Sequence, residues 1–353
     1  MNYFFGFSYW KHPLIEPFFD KKPIFINPLF GKQYLKKALQ RGLNPQSAIY
    51  IWGKKKFPEI ERYAKDHAVD LFRVEDGFIR SVGLGSDLTQ PYSLVVDSRG
   101  IYFDPTSESD LEHILQTHVF SEIEIKRAQD IRTYLIEKKI SKYNLYSNME
   151  LNFPKDKKII IVPGQVEDDA SIFYGANGMT NLKLLQQTRA NRPDAYIVYK
   201  PHPDVLVGNR IGHVGEYEAL QYCDRIVTEV GIDSVLAHAN EVHTMTSLVG
   251  FEALIRGINV VTYGMPFYAG WGLSEDAHRC ERRSRILSID ELIAGTYLLY
   301  PCYIHPETLK QCEIEELLLI LEKERVQYRN SFWKKVRNWL SRKSQQIYRI
   351  LLN

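Results

Sequence analysis

Glu167, Asp168 and Asp169 stand side by side in VPGQVEDDASI, residues 162–172, directly after the apolar run KKIIIV. Three adjacent carboxylates repel one another and gain little from folding, so their use is a chemical question. A second acidic pair, Glu75 and Asp76, sits in the segment EDG. A carboxylate beside a phosphate seat is equipment for glycosyl transfer, because it can stabilise or capture an oxocarbenium-like centre. The residue types alone do not choose among these five acids. Asp168 is the one expected to cap the helix that follows the loop.

The phosphate seat has two candidate pieces. In KPHPD, Lys200 and His202 are held by Pro201 and Pro203, which restrict the backbone around them. A cation and an imidazole fixed at a crevice suit a nucleotide phosphate, and His202 can protonate a leaving oxygen because its pKa is tunable near neutrality. In TSLVGFEALIRG, Ser247 or Thr246 occupies the N-cap position, where backbone N–H groups and the helix dipole attract anions. Gly250 would let a ligand approach the helix start, and Glu252 in its first turn could accept from ribose hydroxyls. YGMPFYAGWG gathers Tyr263, Phe267, Tyr268 and Trp271 around three glycines. It reads equally well as a wall for a base or sugar ring and as a rigid loop closing the domain.

These loops need a scaffold that brings them together. In the first half PIFIN, AIYIW, VDLFRV and YSLVVD read as strands, with helical patterns such as KQYLKKALQRG and FPEIERYAKDH between them. A helical region over about 109–140 follows. KIIIVPG, AYIVYK, DRIVTEV, EVHTMTS and NVVTYG form a second alternating series. The expected architecture is α/β, with parallel strands in two halves and a cleft between them. In such sheets the carboxyl ends of the strands face the ligand, which is where the informative loops lie. The expected division is 1–150, 151–324 and a tail at 325–353.

The formal net charge of +2 conceals an asymmetry. Residues 325–353 carry eight Lys or Arg and no acid, leaving residues 1–324 at −6. An acidic body argues against a nucleic-acid partner. In the tail Phe332, Val336, Trp339, Leu340, Ile347, Ile350 and Leu351 recur at helical spacing among basic residues. This pattern predicts an amphipathic helix lying on an anionic membrane surface. Cys223, Cys280, Cys302 and Cys312 form no CxxC pair and have no His at ligand spacing, so thiols in a reducing compartment are expected rather than a zinc site. With no signal peptide or spanning run in the sequence, the expectation is a cytoplasmic protein, peripheral on the inner membrane.

The segments EDGFIRSVGLGSDLTQPYSLVVDSRGIYFDPTSESDLEHIL, SKYNL, PGQVEDDAS, YKPHPDVLVGNR, TSLVGFEALIRG and TYGMPFYAGWGL, in one collinear order from about Glu75 to Pro306, resemble the KpsC-type capsule β-Kdo transferases of Gram-negative bacteria. The resemblance implies a GT-B-like pair of Rossmann-type domains, with the acceptor on the first and the donor substrate CMP-β-Kdo on the second. It implies a retaining double displacement with Asp169 as nucleophile, framed by Glu167 and Asp168, Glu75 as acid/base with Asp76 close behind it, and no metal or cofactor. Donor binding would fall to Gln165, Lys200, His202, Pro203, Ser247, Gly250, Glu252 and Tyr263. A glycolipid acceptor, a companion transferase module and the capsule export machinery are the implied partners. Family members usually carry two modules where this sequence has room for one. PGQVEDDAS and SVGLGSDLTQP look more like the second, which implies a β-(2→7) linkage. Two other readings are a non-catalytic capsule-assembly scaffold and a transferase using another CMP-ulosonic acid.

Overall fold

The computed structural model describes residues 1–27, 33–79, 90–140, 151–206, 208 and 210–330, the last five as backbone alone. Most of SVGLGSDLTQP, all of SKYNL and the tail beyond 330 lie outside the described residues.

In the first half five strands form: β1 (Asn2–Phe5), β2 (Pro23–Ile26), β3 (Ala48–Trp52), β4 (Asp70–Asp76) and β5 (Ser93–Asp97). The second half supplies β6 (Ile159–Pro163), β7 (Tyr196–Lys200), β8 (Arg225–Ile226), β9 (Glu241–Thr244), β10 (Asn259–Thr262) and β11 (Glu275–Asp276), and β12 (Pro301–Tyr303) follows. Among the described residues these make two six-stranded sheets, ordered β12-β5-β4-β3-β1-β2 and β11-β10-β9-β6-β7-β8. The second sheet is parallel throughout. Its central strands β6 and β9 are almost wholly buried, as a sheet covered on both faces requires.

The first sheet departs from the expected parallel arrangement. β4 and β5 run antiparallel, and so do β5 and β12. Moreover, β12 comes from beyond residue 300, so the first sheet is completed by chain that the division at 150 and 324 assigns elsewhere. The helix Ile314–Asn330 continues this return. It buries Leu317, Leu318 and Leu321, and its Glu315 and Glu322 accept hydrogen bonds from Arg127 and from Tyr134 and Lys138. The structured helix therefore runs across the boundary expected at 325.

The two sheets share one apolar core. A single cluster of buried side chains runs from Phe78, Ile101 and Leu115 to Ile161, Val242 and Phe251. At the seam the rings of Phe78 and Phe267 lie 4.8 Å apart. The cleft beside this seam is lined by residues from both halves.

Candidate functional site

The carboxyl ends of β4, β6, β7 and β9 meet in one cleft of about 630 Å³. Gly164, just past β6, makes the crowding possible. A Cβ there would stand 2.8 Å from Tyr199 Oη, 3.0 Å from Pro201 Cα and 3.2 Å from His202 N. Only a hydrogen fits, so the 164–169 loop lies directly against the KPHP segment. Gln165 then ties this loop to the next strand end. Its Oε1 accepts from Thr246 N at 3.0 Å, and its Nε2 donates to Thr246 Oγ1 at 3.0 Å. Gln165 lines the cleft, and with its amide engaged on both sides it also braces the loops.

The three adjacent acids have three different positions. Asp168 is exposed and pairs with Arg210, Nε to Oδ1 3.0 Å. Glu167 accepts from the Asn181 N–H at 2.7 Å, at the start of the helix Asn181–Asn191, where a negative charge suits the dipole. Asp169 lines the cleft and is the N-cap of the helix Ala170–Gly175. The capping role expected of Asp168 thus belongs to its neighbour, because Asp169 is the residue with extended backbone at the helix start. Both cap bonds, from Ser171 N at 2.9 Å and Ser171 Oγ at 2.8 Å, end on Oδ1. Among the described residues Oδ2 accepts no hydrogen bond, leaving one oxygen fixed and the other available to a ligand.

Lys200 ends β7 and lines the same cleft with 9% of its surface exposed. Among the described residues its ammonium has no carboxylate partner, and burial lowers its pKa to about 8. A nearly dry cation without a counter-ion is a strong attractor for an anionic ligand. His202 follows two residues later, and its Nδ1 lies 3.1 Å from the Asp204 N–H, which it accepts. That bond assigns the neutral ring's proton to Nε2. Pro203 also lines the cleft, as the first residue of the short helix Pro203–Leu206.

Ser247 caps the helix Leu248–Ile255, accepting from Val249 N at 3.2 Å, and faces the cleft with buried Glu252. Two expected donor contacts lie elsewhere. A Cβ on Gly250 would collide with the hydroxyl of Tyr268, which donates to Ser247 O at 2.6 Å. Gly250 is small to admit Tyr268, not a ligand. Tyr263 is buried beneath the sheet, where its hydroxyl meets Asn191 Nδ2 and His243 Nδ1 at 2.9 and 3.1 Å. The aromatic loop is mainly a rigid closure: Tyr268 and Trp271 are fully buried, and Phe267 alone of its four aromatic rings borders the cleft.

From the first sheet come Glu75 and Asp76, both on the opposite wall. Glu75 Oε1 accepts from Asp76 N at 3.0 Å. Sequence reasoning missed Tyr102 and Phe103 on that wall, and Arg210 and the 228–232 segment on the other. The 228–232 segment follows a strand of two residues, too short for a periodicity signal, although Gly231 marked a turn. Among the described residues no group of three or more His, Cys, Asp or Glu side chains could hold a metal ion, and no helix is long and apolar enough to cross a membrane.

Residues 47–303 match the family described as capsule polysaccharide biosynthesis protein. The capsule polysaccharide modification protein LipA of Neisseria meningitidis serogroup B is 46% identical over 330 residues, covering 93% of this chain and 46% of that protein. The chain therefore spans about half the length of that relative. The beta Kdo 2,7 transferase of Thermosulfurimonas dismutans KpsC superimposes with a TM-score of 0.75 at 39% identity, covering 92% of this chain and 99% of that one. The beta Kdo 2,4 transferase of the same protein gives 0.77 at 30% identity, covering 90% and 97%. The two parallel-dominated sheets with a cleft at their strand ends match this GT-B-like arrangement, and the chain belongs to the capsule polysaccharide biosynthesis protein family.

Proposed function

We propose that this protein is a retaining β-Kdo transferase that moves Kdo from CMP-β-Kdo to a Kdo-terminated glycolipid in capsule assembly. The observation that carries the reading is that one cleft gathers Asp169, with a single anchored oxygen, the ammonium of Lys200, which has no carboxylate partner among the described residues, His202, and Glu75 with Asp76 from the other sheet. Substantial identity to two solved Kdo transferase domains over nine-tenths of the chain supports it.

In the first displacement Asp169 Oδ2 attacks the anomeric C2 of Kdo. The C2–O bond to phosphate breaks and CMP leaves with the electron pair, its charge met by Lys200 and by the Nε2–H of His202. In the second, an acceptor hydroxyl attacks C2 and expels the Asp169 carboxylate, while Glu75 or Asp76 takes the hydroxyl proton. Two inversions leave the configuration unchanged. Glu252 and Ser247 hold the nucleotide. Higher identity to the 2,7 than to the 2,4 transferase favours a β-(2→7) product, although the two superpose almost equally well. The basic segment beyond residue 330 would hold the enzyme on an anionic membrane beside its lipid acceptor and a companion module.

Incubation with CMP-Kdo and a synthetic Kdo-terminated acceptor tests the reading. NMR should show one new β-(2→7)-linked Kdo. Inverted configuration, or transfer from a different CMP-ulosonic acid in preference, would overturn it.

A further inference from the structure

Outside the cleft lining, Glu112 is 4% exposed in the helix Asp110–Thr117, which packs against the helical turn Ala294–Leu299 that leads into β12. Two consecutive arginines from the second half converge on it. Arg282 Nε donates to Oε1 at 2.6 Å, and Arg283 Nε donates to Oε2 at 3.0 Å. Arg283 is itself buried, and its Nη1 donates to the carbonyls of Pro266 and Ala269 at 2.6 and 2.9 Å. Those two carbonyls bracket Phe267, the ring that reaches the cleft floor and lies against Phe78. Phe78 is two residues beyond Asp76. Gly270, with φ of +87°, gives Arg283 its channel, since a Cβ there would stand 3.2 Å from Arg283 Cδ.

A buried carboxylate with two guanidinium partners is costly to assemble and is not needed for stability where apolar packing would serve. What it supplies is register, because the fork fixes direction as well as distance. We infer that Glu112, acting through Arg283, is a positioning residue that sets the first-sheet acids Glu75 and Asp76 against the sugar held by the second sheet. This rests on the function proposed above. It assigns Glu112 to one of the two displacements. Formation of the aspartyl adduct uses Asp169, Lys200 and His202, all from the second half. Transfer to the acceptor also needs Glu75 or Asp76 at the right place across the seam.

The test is a step-resolved comparison of wild-type protein with Glu112→Gln and with the milder Arg282→Gln, a change at an exposed partner of the buried carboxylate. Rapid-quench mass spectrometry with CMP-Kdo alone reads adduct formation, and addition of the Kdo-terminated acceptor reads its discharge. Glu112→Gln should leave adduct formation within twofold and slow discharge at least tenfold, with Arg282→Gln about threefold slower in discharge. Equal slowing of both steps, or of neither, would overturn the inference. Wild-type protein that forms no adduct would instead sink the proposed mechanism. In that case hydrogen exchange decides: Glu112→Gln should raise exchange at residues 263–272 and at 76–79 while leaving β6 and β7 unchanged, and an unaltered 263–272 segment would refute the positioning role. If Glu112→Gln does not fold, Arg282→Gln carries both readouts.

Discussion

Asp169 is anchored by Ser171 through one oxygen only, with both the backbone N–H and the hydroxyl of Ser171 ending on Oδ1. The cap fixes the carboxylate plane at the cleft and leaves Oδ2 to a substrate. Helix capping and covalent chemistry therefore draw on different oxygens of one side chain.

That division separates stability from activity. Asp169→Asn keeps an acceptor at the Oδ1 position, and Asn caps helices as well as Asp does, so stability should change by less than roughly 0.5 kcal/mol. Transfer should nevertheless be lost. Asp169→Ala should lose transfer and about 1 kcal/mol of stability besides. Denaturant midpoints beside a turnover assay check both.

Lys200 predicts opposite signs for folding and binding. Burial lowers its pKa from 10.5 to about 8, so the protonated form carries a folding cost that is complete below pH 8 and relieved as pH rises from 8 towards 10.5. Lys200→Met should stabilise the unliganded protein by roughly 1–3 kcal/mol near neutrality. The same change should weaken CMP at least tenfold. In the unsubstituted protein CMP affinity should fall as pH rises above 8, and Lys200→Met should flatten that dependence. Calorimetric titration across pH 6.5–9.5 measures it.

Gly164 and Gln165 set the loop spacing. Gly164→Ala would force the Cβ into Tyr199, Pro201 and His202, with a cost of about 1–3 kcal/mol and a donor KM that rises with it. Gln165→Ala leaves the Thr246 N–H without its acceptor, at roughly 1–3 kcal/mol. Thermal unfolding and donor KM, measured together, check both variants.

The membrane prediction depends on where the chain is cut. Arg325 donates to Lys138 O at 2.7 Å, and the helix carrying it continues to Asn330. Deleting 331–353, which holds six Lys or Arg, should abolish sedimentation with anionic vesicles while turnover on a soluble acceptor persists. Vesicle binding that survives the deletion would place the attachment elsewhere.

Much of this was legible in the sequence, for reasons that individual residues make plain. The apolar runs of β6 and β7 declare a sheet buried on both faces, and the Gly, Pro and acidic residues after them mark its carboxyl edge. Strand direction was not legible, since SLVVD, an apolar run between two polar residues, has the same pattern read either way and only its pairing with β4 makes it antiparallel. Nor did Pro301–Tyr303 carry any sign that it pairs with a strand about two hundred residues earlier, Ser93–Asp97. Tyr263 and Gly250 were misplaced because local spacing identifies a loop without showing which face each residue takes. The choice between Asp168 and Asp169 as cap turned on where the backbone leaves the helix, a property that two identical side chains cannot announce.

The most direct measurement is peptide mapping after brief exposure to CMP-Kdo without acceptor. The mechanism predicts a Kdo-sized mass increase on Asp169, discharged when acceptor is added and missing from Asp169→Asn. Rapid turnover with no such adduct under quench conditions, or the adduct on another residue, would contradict it.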